Sequence, residues 1–222
     1  MFRVKICGIT SVDDALLAAD AGADAIGLNF FAESPRFCKL ELANCIAAAT
    51  PRSVCKVGVF VNATAKEIRR VAVAVGLDLV QLHGDEPPEL LCEIRPLAVM
   101  RAFRAGGDIS TIGEYLRACY PLMCMPRMML VDASQPGQYG GTGQTLDWEA
   151  LDYYWCEFGG MPLVLAGGLT PANVAAAIAA VRPWAVDVAS GVESSPGKKS
   201  AALVREFVAE ARSALAQAAV RK

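Results

Sequence analysis

Residues 64–82 read TAKEIRRVAVAVGLDLVQL, one complete helix-to-strand unit. Thr64 and Glu67 stand at capping-box spacing, where hydroxyl and carboxylate satisfy backbone N–H groups left free at a helix start. An amphipathic run then continues to Val75. Gly76 ends it, because glycine takes the left-handed conformation that closes many helices. Asp78 precedes the short strand Leu79–Leu82. The same punctuation occurs in Ala21-Gly22-Ala23-Asp24-Ala25-Ile26. Trp184-Ala185-Val186-Asp187 lacks the glycine and is not counted as a further copy.

Extending this unit in both directions fills the chain. A first strand is expected to end at Ile6-Cys7, and others at 25–30, 54–61, 79–82, 99–103, 128–132, 163–166 and 186–188. Helices are expected at 11–21, 40–49, 64–75, 86–94, 109–118, near 148–155, 172–181 and 201–216. Ser11 and Asp14 repeat the capping-box spacing. Strands that alternate with helices build a parallel sheet. Eight β-then-α units predict an α/β fold, a single (β/α)8 barrel with eight parallel strands. The 222 residues suit one barrel domain over 1–222, with no composition break along the way.

Composition narrows the function. Hydrophobic residues make up 54% of the chain, which excludes a disordered protein. A net charge of −2, with no Lys/Arg run, argues against nucleic acid as a partner. Eight cysteines include no C-x-x-C pair, and His83 is the single histidine, so no metal site is expected. The cysteines read as reduced, buried thiols of a cytoplasmic protein. The charged run Arg3–Cys7 stands where a signal peptide would carry its apolar core. Residues 158–181 carry no charge, but glycines and prolines divide them into strand, loop and helix rather than a membrane span.

Barrel enzymes work at the C-terminal ends of their strands. Cys7, Asn29, His83, Arg101, Arg104 and Asp132 stand at or near such ends, with Arg36 in the loop after the second strand. Gly167-Gly168 follows the seventh strand and Ser190-Gly191 the eighth. Those two loops suit a phosphate, since glycines let backbone N–H groups approach an anion; the alternative is that they only form turns. Cys7 is either one more structural thiol or the base or nucleophile of the site. Asp132 either caps a neighbouring element or does acid–base chemistry, helped by desolvation under the loop 135–145. Arg36 is either a surface group or a bidentate carboxylate holder. His83 reads more as a hydrogen-bonded strand-end residue than as a catalyst.

Lys5-Ile6-Cys7-Gly8-Ile9-Thr10 resembles the opening signature of the phosphoribosylanthranilate isomerases. So do Ser34-Pro35-Arg36, Gln81-Leu82-His83-Gly84, Gly140-Gly141-Thr142-Gly143, Leu165-Ala166-Gly167-Gly168-Leu169 and Ser190-Gly191-Val192-Glu193, in family order. The resemblance implies an Amadori rearrangement of N-(5-phosphoribosyl)anthranilate in tryptophan biosynthesis, with no cofactor or metal. It makes Asp132 the general acid and Cys7 the general base. It places Arg36 on the anthranilate carboxylate. It gathers His83, Gly167, Gly168, Ser190 and Gly191 around the phosphorylated substrate, with Gly143 in a loop over the site. A small phosphorylated molecule is then the partner, bound by a monomer or homodimer.

Some positions depart from the family. Ala189 stands where Ser is frequent, and Ser200 where Asp is expected. The segment Cys119–Arg127, with two prolines, reads as a surface insertion. Competing readings are a ribulose-phosphate epimerase, which needs metal ligands, and an indoleglycerol-phosphate synthase, which needs a catalytic lysine. Lys5 lies at the wrong end of its strand for that. A catalytically silent barrel is the remaining alternative.

Overall fold

The computed structural model describes residues 1–104, 110–132 and 160–220. The expected loop 135–145 with Gly143, the expected helix near 148–155, and Cys156 lie outside the described residues. Eight parallel strands close into a barrel: β1 (Val4–Cys7), β2 (Ala25–Asn29), β3 (Cys55–Phe60), β4 (Leu79–Leu82), β5 (Val99–Arg104), β6 (Met128–Asp132), β7 (Leu163–Ala166) and β8 (Ala185–Val188). The ring closes where β1 pairs with β8, with Lys5 opposite Asp187. Helices α1 (Val12–Asp20), α2 (Leu40–Ala49), α3 (Ala65–Val75), α4 (Glu89–Glu93), α5 (Ser110–Leu122), α6 (Val174–Val181) and α7 (Ala201–Val220) connect the strands or follow them. A small hairpin of β9 (Glu193–Ser195) and β10 (Lys198–Lys199) follows β8.

Side chains alternate between two cores, as the two-residue period of a strand requires. Inward-facing Ala25, Val57, Leu79, Met100, Leu130, Val164 and Ala185 fill the barrel's interior. Outward-facing Val4, Ile6, Ile26, Leu28, Val80, Val131 and Val186 pack under the helices together with Ile46, Ile68, Ile178 and Phe207. Burying one such Phe, Ile or Val contributes about 1.5–3 kcal/mol. The lower interior is apolar, so the polar strand-end residues are confined to the mouth.

The repeated Gly/Asp punctuation has a structural meaning. Gly76 caps α3 in the left-handed conformation, with φ of 68°. Asp78 then accepts a bond from the backbone N–H of Lys56, and Asp24 accepts from those of Arg3 and Val4. Each aspartate therefore ties its own strand's start to a neighbouring strand. Ahead of β8, Arg182 takes the left-handed position itself, at φ 50° and ψ 48°. Ser11 and Thr64 accept from the N–H groups of Asp14 and Glu67 and cap α1 and α3.

Three expectations need correction. The fourth helix starts at Glu89, not Glu86. Residues before proline disfavour the helical region, and Pro87-Pro88 follow Glu86. The buried Glu86 carboxylate instead accepts from the N–H groups of Asn62 and Gly84 and pairs with Arg101 at 3.3 Å. The segment Cys119–Arg127, expected as a surface insertion, lies only partly at the surface. Helix α5 runs through Pro121 to Leu122, with Cys119 and Cys124 buried while Tyr120 and Met123 face solvent. Nor are the thiols uniformly reduced and buried: Cys92 and Cys124 form a disulfide between α4 and the turn after α5, and Cys45 is exposed.

Candidate active site

The strand ends surround an open cleft at the C-terminal mouth of the barrel. Cys7, Arg36, His83, Asp132, Gly167, Gly168, Ser190 and Gly191 all line it. Arg101 does not belong there. It points outward, donating to the carbonyls of Leu82, Gly84 and Ala102.

Cys7 is partly exposed at the end of β1. Lys5 lies two residues earlier, hence on the same inner face, and is fully buried. Its Nζ donates to Oδ2 of Asp187 on β8 at 2.9 Å. Burial works against the Lys5 ammonium, yet Asp187 and Cys7 beside it raise its pKa above the ordinary lysine value. Burial pushes the Cys7 thiol up, against the pull of Lys5 and Lys199. Gly27, opposite Cys7 in the register with β2, leaves room for both side chains. A Cβ there would stand 2.6 Å from Sγ of Cys7 and 3.2 Å from Cε of Lys5.

Asp132 ends β6, on the other side of the mouth, and is buried. Nε2 of His83 lies 3.3 Å from its Oδ2. The side-chain amide nitrogen of Gln81 contacts Nδ1 of His83 at 3.0 Å. With that amide donating, His83 carries its proton on Nε2, next to the Asp132 carboxylate but not aligned to hydrogen-bond with it.

Arg36 is held on three sides. Its aliphatic stem crosses Gly8, whose φ of 73° and lack of a Cβ make the crossing possible. Asn29 bonds Ser34, and Ser34 accepts from the backbone N–H of Arg36, which shapes the loop. Glu193 of β9 accepts from Nε at 2.8 Å and from Nη2 at 2.7 Å. Lys199 of β10 donates to the same carboxylate at 2.8 Å and to the carbonyl of Ala189.

The two glycine loops lie side by side. Gly167 and Gly168 both have positive φ, 86° and 63°. Asn173 fixes that loop, donating to the carbonyl of Gly168 and accepting from the N–H of Thr170. Ser190–Val192 forms a single 3-10 turn after β8. A Cβ on Gly191 would overlap the carbonyl oxygen of Leu169, so only glycine allows this approach. Ser200 stands directly before α7, a position where Ser and Asp are both favoured.

An N-(5'-phosphoribosyl)anthranilate (PRA) isomerase family model matches residues 4–210. The chain belongs to that family. Within the family, it is 48% identical over 218 residues to the N-(5'-phosphoribosyl)anthranilate isomerase of Rubrobacter xylanophilus, covering 96% of this chain and 100% of the relative. The crystal structure of phosphoribosyl anthranilate isomerase from Thermotoga maritima superposes with a TM-score of 0.84 at 41% identity, covering 96% of this chain and 100% of that one. A phosphoribosyl anthranilate isomerase in complex with reduced 1-(o-carboxyphenylamino)-1-deoxyribulose 5-phosphate superposes at 0.81 with 39% identity, covering 96% and 100%. Among the described residues, no helix is long and apolar enough to cross a membrane, and no three His, Cys, Asp or Glu side chains converge as a metal site.

Sequence reasoning missed the supporting residues: Lys5, Gln81, Asp187, Glu193 and Lys199. Lys5 and Asp187 were legible only as strand residues. Their pairing needs the closure of β1 on β8, which no local signal shows. Glu193 and Lys199 needed the β9–β10 hairpin.

Proposed function

We propose that this chain converts N-(5-phosphoribosyl)anthranilate to 1-(2-carboxyphenylamino)-1-deoxyribulose 5-phosphate, with Asp132 as general acid and Cys7 as general base. The single observation that supports this best is the placement of these two side chains on opposite sides of one cleft, between a carboxylate-binding guanidinium and two glycine loops.

Asp132 gives a proton to the ribose ring oxygen. The C1–O bond breaks as the anilino nitrogen's lone pair forms a C=N bond. Cys7 then removes the proton from C2, and the electrons of that C–H bond flow through the iminium to nitrogen. The resulting enolamine becomes the ketone when C1 takes a proton and the C2 hydroxyl loses one. Each proton-transfer group contributes about 10²–10⁴-fold. His83 steadies Asp132 through the 3.3 Å contact. Arg36 keeps N–H donors beyond its fork with Glu193 for the anthranilate carboxylate. Gly167, Gly168, Ser190 and Gly191 present backbone to the phosphate, and Gly143 belongs to the loop over it. The reading further holds the protein to be cytoplasmic, one domain over 1–222, and a monomer or homodimer.

The test is to generate the substrate in situ and follow the loss of its fluorescence. Wild type should accelerate that loss, and Cys7→Ala and Asp132→Asn should each lower kcat by about 10²-fold or more. No acceleration by folded wild type ends the isomerase reading. Full activity in either variant ends that residue's role.

A further inference from the structure

Five charged side chains surround Cys7. Lys5 and Asp187 lie below it, ion-paired at 2.9 Å. Arg36 and Lys199 lie beside it, both paired with Glu193. Three of these groups are cations and two are carboxylates. The cluster therefore carries one positive charge that nothing in it balances, and a thiolate at Cys7 completes it. Lys5 is the cation best placed to meet that thiolate. It shares the inner face of β1 with Cys7, and both crowd the space above Gly27, Sγ at 2.6 Å and Cε at 3.2 Å from the same point. Its ammonium is fully desolvated, so its field on the sulfur is not screened by water. Among the described residues, Oδ1 of Asp187 is buried without a hydrogen-bond partner, Asp187 lines the cleft, and Lys5 is the side chain that anchors its carboxylate.

Resting on the assignment of Cys7 as the base, we propose that Lys5 is a positioning residue for it. Its buried ammonium, anchored by Asp187, fixes the sulfur at the mouth and supplies the charge against which the thiolate forms. Lys5 does not line the cleft and acts on the substrate only through Cys7. Replacing it makes the thiolate harder to form.

The pH dependence of Cys7 alkylation by iodoacetamide, read on the Cys7 peptide by mass spectrometry, tests this without substrate. In Lys5→Met the midpoint should move to higher pH. The rate at pH 8 should then fall about tenfold, the change that a one-unit rise in the thiol's pKa produces. The rising limb of the kcat/KM profile should move in the same direction. Lys5→Met strands the Asp187 carboxylate and can prevent folding. In that event Lys5→Met with Asp187→Leu replaces the ion pair by apolar groups, an exchange that buried pairs often tolerate. The midpoint should still rise, because Lys5 crowds the same space above Gly27 as the sulfur, while Asp187 approaches from the neighbouring strand. An unmoved or lowered midpoint in a folded variant overturns the proposal, and beside an inactive Cys7→Ala it does so while leaving the base assignment intact. Full activity in Cys7→Ala overturns the base assignment and the proposal together.

Discussion

Glu193 grips Arg36 with both carboxylate oxygens, at 2.8 Å from Nε and 2.7 Å from Nη2. A fork of this kind fixes the plane of a guanidinium as well as its position. Glu193→Gln replaces one acceptor by an N–H₂ donor facing another donor, so the fork opens. The expected result is a rise in KM of about tenfold, or about 1.4 kcal/mol, with a smaller change in kcat, because the role proposed for Arg36 is to bind rather than to react. Steady-state kinetics decide it. A fall in kcat at constant KM counts against the binding role.

The same carboxylate makes the fold acid-sensitive. Burial raises its pKa, but hydrogen bonds from Arg36 and Lys199 outweigh that and hold it below the ordinary glutamate value. The unfolded chain then binds the proton first, so stability rises with pH. The contribution is complete above the unfolded value of about 4.3 and disappears as pH falls through the depressed folded value. Melting temperature should therefore fall more steeply below about pH 4.5 in wild type than in Glu193→Gln. Equal slopes in calorimetry at several pH values would show that Glu193 carries no such linkage.

The barrel was legible because its signals are local. A capping hydroxyl, a closing glycine and an aspartate recur ahead of β2 and β4 within 20-residue windows, and the structure uses them as caps and strand ties. The start of α4 was misread because helical periodicity was weighed above Pro87-Pro88. The candidate site divides in the same way. Strand-end position picked out Cys7, His83 and Asp132, since a residue's place at the end of its own strand needs no other strand to define it. The groups beside them are held in place by partners far apart in sequence. Lys5 and Asp187 meet only because β1 pairs with β8, and Glu193 reaches Arg36 only because the β9–β10 hairpin lies against the loops that follow β1 and β2.

Arg182 closes α6 at φ 50°, where a side chain costs about 1–2 kcal/mol. Arg182→Gly relieves that strain and gives back part of it through the greater freedom of the unfolded chain. The expected net gain is about 0.5–1 kcal/mol, or a melting temperature higher by about 2–3 °C at this chain length. The residue lies outside the cleft, so kcat/KM should not change. A lowered melting temperature would mean that Arg182 makes a contact worth more than its backbone strain.

Gly191 separates the phosphate-binding reading from simple turn formation. It sits in the 3-10 turn after β8, where a Cβ would overlap the Leu169 carbonyl oxygen and come within 2.9 Å of its carbon. Both obstacles are backbone, so Gly191→Ala must move the turn or the neighbouring Leu169–Thr170 segment. Val192 in the same turn is fully buried, so some stability is lost whatever the turn binds. If the turn's backbone N–H groups hold the phosphate, KM should rise by about tenfold or more, and competitive inhibition by inorganic phosphate should weaken in parallel. The two changes must track each other, because both report the same anion contact. A folded Gly191→Ala variant that loses stability but keeps its KM and its phosphate inhibition would make the glycine a turn former and place the phosphate elsewhere.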